Sequence, residues 1–156
     1  MNVELMAAEP HVLAIATRVL IAGLLGAALG LEREWRGKEA GLRTNTLIAI
    51  GSALFSALSV TMGGDPARVA AQIVTGVGFL GAGAILHKGA SVQGLTTAAM
   101  IWVNAAVGMA AGSGHIRLAA LVTVIVLIAM VGLTPLDRVL DKRKRARGGA
   151  SSESSS

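Results

Sequence analysis

The residues best equipped for chemistry stand together in "GLEREWRGKEAGLRTNT", residues 30–46. Glu32, Arg33, Glu34, Arg36, Lys38, Glu39 and Arg43 fall within twelve positions. Three Glu-to-basic pairs are spaced by four: Glu32–Arg36, Glu34–Lys38 and Glu39–Arg43. On a helix each would be an ion pair in the favourable order, worth only about 0.2–0.5 kcal/mol when exposed. Stability alone is therefore a weak reason for the cluster, and two readings stand. The basic residues fix the orientation of the chain, or Arg33, Arg36 and Arg43 hold an anionic group or a partner protein. Catalytic sets are harder to assemble. His11, His87 and His115 lie in different segments, cysteine is absent, and no Ser/His/Asp grouping shares a surface. The sequence reads as a non-enzyme, with no cofactor and no metal site.

The elements around this cluster are apolar. The chain of 156 residues is 53% hydrophobic and 15% charged, well below the roughly 25% charge of soluble domains. Its mean hydropathy is +0.66. Five stretches approach the length that crosses ~30 Å of hydrocarbon: about 12–31, 44–62, 68–86, 95–112 and 116–134. A soluble helix needs a polar face, and these stretches offer small residues and hydroxyls instead. The sequence predicts an all-α integral membrane bundle of five transmembrane helices, 12–136. An extracytoplasmic segment, 1–11, precedes it, and a disordered cytoplasmic tail, 137–156, follows: basic at first, then rich in Ser and Gly. The opening residues include Glu4 and Glu9 but no Lys or Arg, unlike a secretory leader.

Lys and Arg counts set orientation. Segments 32–43, 87–94 and 135–156 hold Arg33, Arg36, Lys38, Arg43, Lys88, Arg138, Lys142, Arg143, Lys144, Arg145 and Arg147, whereas the opposite side holds Arg68 and Arg117. This predicts an outside N-terminus and a cytoplasmic C-terminus. It also assigns the basic excess to anionic inner-leaflet lipids rather than to nucleic acid. Because a charge at mid-bilayer costs about 2.5–3.5 kcal/mol on insertion scales, the Glu32–Arg43 segment is a connector outside the hydrocarbon. Trp35 suits the headgroup level.

Within the spans, polar and small residues form stripes. Asn45, Ser52, Ser56 and Ser59 share one helix face; Gln72, Gly76 and Gly83 make another; Thr97, Asn104 and Gly108 a third. These stripes are expected to face each other, either as fasteners between helices or as the lining of a cavity. Gly26 and Gly30 on the first span, and Gly76, Gly78, Gly81 and Gly83 on the third, are candidates for close helix packing. "GVGFLG", 76–81, has the spacing of a dinucleotide fingerprint, but it sits within a span and lacks the strand and acid that motif requires. Arg18 is the one charge well inside a span. It either snorkels to the outer surface or lines a vestibule, paired with Asp65 or Glu9.

Three stretches, "GLEREWRGKEAGLRTNTLIAIGSALF", "RVAAQIVTGVGFLGAGAILHKG" and "VQGLTTAAMIWVNAAVGMAAG", closely resemble the membrane domain of the MgtC/SapB family. The resemblance runs from about Gly23 to Gly112. It implies a multi-pass protein of the bacterial inner membrane. It also implies a non-enzymatic role in adaptation to magnesium limitation and in virulence, through modulation of a membrane partner such as ATP synthase. The alternative is a transporter of Mg²⁺ or a small solute; a homo-oligomer is compatible with both. By position, the family's signature residues are Glu32, Arg33, Gly41, Arg43, Thr44, Gln72, Gly78, Gly81, Gly83, Gly94, Thr97 and Trp102. Many members continue into a folded cytoplasmic domain, which is not expected in this sequence.

Overall fold

A computed structural model describes residues 3–88 and 91–133, with side chains placed for 11–85 and 92–133. The expected tail, 137–156, lies outside the described residues. The chain forms two compact units, up to Thr123 and from Val124 onward. Packing below concerns the first.

Helix α1 runs Val3–Trp35, α2 Leu42–Thr61 and α3 Pro66–Gly83. A two-stranded antiparallel ribbon follows, β1 Leu86–Lys88 with β2 Ser91–Gln93, pairing Leu86 with Gln93. Then come α4, Leu95–Gly112, and α5, Ile116–Leu133. The five-helix architecture agrees with the sequence reading. Among the described residues, four helices are long and apolar enough to cross a membrane: His11–Trp35 within α1, α2, α4 and α5. The third differs from expectation. Its 18 residues include Arg68, Gln72 and four glycines, which dilute its apolar character. It also stops at Gly83 rather than 86, because the chain turns into the ribbon. At the other end, α1 begins at Val3, inside the segment expected to precede the first span.

The helix ends are written in glycine. After α1, Gly37 takes a left-handed φ of 60°. Its N–H donates to the Glu34 carbonyl, and the Lys38 N–H donates to the Arg33 carbonyl. That pair of bonds is the Schellman motif, which satisfies carbonyls orphaned at a helix end. Gly63 closes α2 and Gly114 closes α4 in the same way. The connector then turns back sharply through Ala40, a non-glycine residue at φ 54°.

The interior is small and polar, and the exterior is large and apolar. Ala22, Ala49, Ala53, Ala105 and Ala111 are buried together with Asn45, Ser52, Ser56 and Asn104. Leu20, Leu24, Leu47, Phe55 and Trp102 are each more than half exposed. Apolar surface of that extent stays out of water. Hydrocarbon is the solvent that such a surface fits, and small residues are what let helices approach closely within it. α3 leans on α4 through Ile73 and Val77 against Ile101 and Ala105.

Candidate functional site

The site begins where α1, α2 and α4 converge. Gly26 and Gly30 lie one turn apart on α1 and let α2 come to backbone distance. A Cβ on Gly26 would stand 2.6 Å from the Ala49 Cβ and 2.8 Å from the Asn45 carbonyl oxygen. One on Gly30 would stand 2.8 Å from the Leu42 Cα. Gly108 does the same for α4, where a Cβ would stand 3.0 Å from both the Ala49 Cα and the Ser52 Cβ. At these distances no methyl group fits.

Into this close-packed crossing the sequence places hydrogen-bonding groups. Asn45 and Asn104 have no solvent exposure. The Asn104 amide donates to the Asn45 backbone carbonyl, and the Asn45 amide donates to the carbonyls of Ala40 and Gly41. Asn45 thus ties the connector to α2 and receives α4. Two turns earlier on α4, Thr97 is buried and its Oγ1 accepts from Arg33 Nη2 at 2.7 Å. Arg33 itself is only 3% exposed. Its neighbour Glu32 pairs with Arg36 across one turn. Besides the Glu32 carboxylate, three buried atoms of this group are left without a hydrogen-bond partner among the described residues: Arg33 Nε, Asn45 Oδ1 and Asn104 Oδ1.

The other expected pairs resolve differently. Glu34 reaches across the connector instead of down its own helix, and its Oε2 accepts from the Leu42 N–H at 2.8 Å. A carboxylate there satisfies an orphan donor at the start of α2 and faces the positive end of its dipole. This capping role escaped sequence reasoning, which saw only the i,i+4 spacing to Lys38. Glu39 and Arg43 form no ion pair among the described residues, and both are exposed. Among the described residues the Arg18 guanidinium meets no carboxylate: Nη1 donates to the Gly112 carbonyl at 3.4 Å, against the C-terminal turn of α4. A cation suits that end of a helix.

The polar stripes of α2 and α4 face each other, whereas Gln72 does not join them. It is exposed on α3 and lines a groove between α2 and α3. The α3 glycines divide as well. Gly81 packs on Ala98, with a Cβ there 3.6 Å from the Ala98 Cβ, but Gly76, Gly78 and Gly83 face open space, with nothing within 4 Å. The expected close approach at those three positions is not made among the described residues.

Chemically, the converging groups hold the helices together through hydrogen bonds. Among the described residues no group of three His, Cys, Asp or Glu side chains could hold a metal ion. The pattern of the MgtC family matches residues 19–139, spanning this whole crossing and its connector. The chain belongs to the MgtC family. Protein MgtC of Brucella abortus is 49% identical over 136 residues, covering 85% of this chain and 57% of its own. Protein MgtC of Salmonella typhimurium is 47% identical over 129 residues, covering 82% and 54%. An uncharacterized Synechocystis protein is 49% identical over 126 residues, covering 80% and 54%. The chain therefore spans about half the length of the curated relatives it matches. No solved structure matches it. With four helices fit to cross a membrane, this MgtC-family chain is a multi-pass membrane protein.

Proposed function

We propose that this chain is a non-enzymatic protein of the bacterial inner membrane that modulates a membrane partner during growth at limiting magnesium. ATP synthase is the partner that the family resemblance suggests. One observation carries the choice of modulator over conduit. At the α1–α2–α4 crossing, the glycine contacts leave no width for a solute, and the polar groups are spent largely on one another. The charges left for a partner are on the rim, where Lys38, Glu39 and Arg43 are exposed. The Lys and Arg distribution supports a cytoplasmic position for that rim.

Affinity capture from mild detergent tests this reading, comparing the wild-type protein with Arg43→Ala. Arg43 is exposed, so its loss leaves the bundle standing. The expected result is a companion complex recovered with wild type and reduced several-fold with the variant. Mg²⁺ uptake by purified protein in proteoliposomes, above that of empty vesicles, would overturn it. The transporter reading keeps one observation in its favour: Asn45 Oδ1 and Asn104 Oδ1 are fully buried acceptors with no partner among the described residues. Such atoms suit a passing polar species or an internal water.

A further inference from the structure

We propose that the groove between α2 and α3 is a binding site for one anionic phospholipid, its phosphate on Arg68 and an acyl chain along the groove. The cavity has a volume of about 590 Å³ and is lined by Leu47, Phe55, Val69, Gln72, Gly76 and Leu80 among others, with Arg68 at the start of α3. Its polar groups are few: Arg68 at one end, Gln72 one turn deeper, and Ser52 on the facing wall of α2. From Arg68 to Leu80 the apolar wall descends about 18 Å at 1.5 Å per residue. That is slightly more than half of the ~30 Å hydrocarbon thickness, the depth of a single leaflet. A cation at the surface above an apolar channel one leaflet deep is the complement of an anionic lipid.

Arg68 is available for that role. It is exposed and makes no ion pair among the described residues. The nearby acid, Asp65, has its own work: Oδ1 accepts from the Ala67 N–H at 2.9 Å and caps α3. The Arg68 end of the site lies by the α2–α3 turn, at the opposite end of α2 from the charged connector. It is thus separate from the rim invoked above, and from any lipid held there.

The test places a fluorophore in the groove. In full-chain protein carrying Trp35→Phe and Trp102→Phe, Phe55→Trp reports on acyl chains that touch it. The protein is reconstituted with brominated phosphatidylglycerol or brominated phosphatidylcholine at equal, low mole fraction. We expect the anionic lipid to quench several-fold more strongly, Arg68→Gln to make the two lipids equal, and Arg68→Lys to keep the preference. Helicity and elution volume confirm that each variant is folded. Equal quenching by both lipids in the parent, or a preference that survives Arg68→Gln, would overturn the proposal. So would the absence of quenching by either lipid, since the groove would then be covered by protein, whether a second copy or another chain.

Discussion

α2 makes two very different contacts. Toward α1 and α4 it is met by backbone: Gly26, Gly30 and Gly108 stand where any side chain would collide. Toward α3 it is met by little, and a groove opens between them. Both sides carry glycine and both carry a polar amide, Asn45 or Asn104 on one and Gln72 on the other. The difference lies in whether the small residue is matched. At the tight crossing, each glycine faces an alanine, a serine or a backbone segment of the neighbouring helix, and the amides find carbonyls. At the groove, Gly76 faces empty space and Gln72 is an exposed part of the lining. In a lipid solvent, where apolar surface gains nothing by leaving hydrocarbon for protein, such matched contact is what holds helices together.

The largest effect should therefore come from filling the matched side. Gly108→Leu drives a side chain into the α2 backbone at Ala49. Overpacking of a closed core costs about 1–3 kcal/mol and sometimes more. With backbone on the receiving side, we expect the upper end or loss of the folded protein. Elution of heated, detergent-solubilised samples measures it. A midpoint unchanged from wild type would mean that α2 and α4 do not meet as described.

A smaller effect is expected one step out, at the hydrogen bond between Arg33 and Thr97. Thr97→Val keeps the shape but leaves Arg33 Nη2 buried without its 2.7 Å acceptor. An unmet buried donor costs about 1–3 kcal/mol. Thr97→Ser, which keeps the hydroxyl, should recover most of the loss in the same thermal assay. If valine and serine behave alike, the hydroxyl is not what Arg33 depends on.

The comparison also shows what the residue order could and could not reveal. The spacing of Asn45, Ser52, Ser56 and Ser59 placed them on one face, and all four are buried. The same arithmetic applied to Gln72, Gly76 and Gly83 gave an equally good stripe, yet no helix packs closely on it among the described residues, and Gln72 and Gly76 line an open groove. Periodicity states which residues share a side of a helix; it does not state whether a neighbour covers that side. Glu34 was misread for a related reason. Its spacing to Lys38 assumes a continuing helix, but the Schellman turn at Gly37 ends α1 and brings the N-terminus of α2 within reach of the carboxylate. The end of α3 was hidden because Ala84, Ile85 and Leu86 are apolar enough to extend a span on paper, whereas the ribbon that starts at Leu86 needs extended backbone.

The smallest effect should come from the unmatched side. Gly76→Ala adds one methyl where nothing lies within 4 Å. In an exposed helix interior, alanine is favoured over glycine by up to about 1 kcal/mol, because glycine loses more backbone freedom on ordering. That gain shrinks in a bilayer, where the unfolded reference is itself helical. The net change should thus lie within about 0.5 kcal/mol of zero, the usual range for a substitution that touches no packed feature. Gly108→Ala, measured beside it, supplies the contrast, since the same methyl there meets backbone. If Gly76→Ala instead destabilised the reconstituted protein as much as Gly108→Ala, α3 would have a close-packed neighbour in the membrane. Repeating the measurement at increasing lipid-to-protein ratio would then identify that neighbour: a penalty that disappears on dilution belongs to contact between copies.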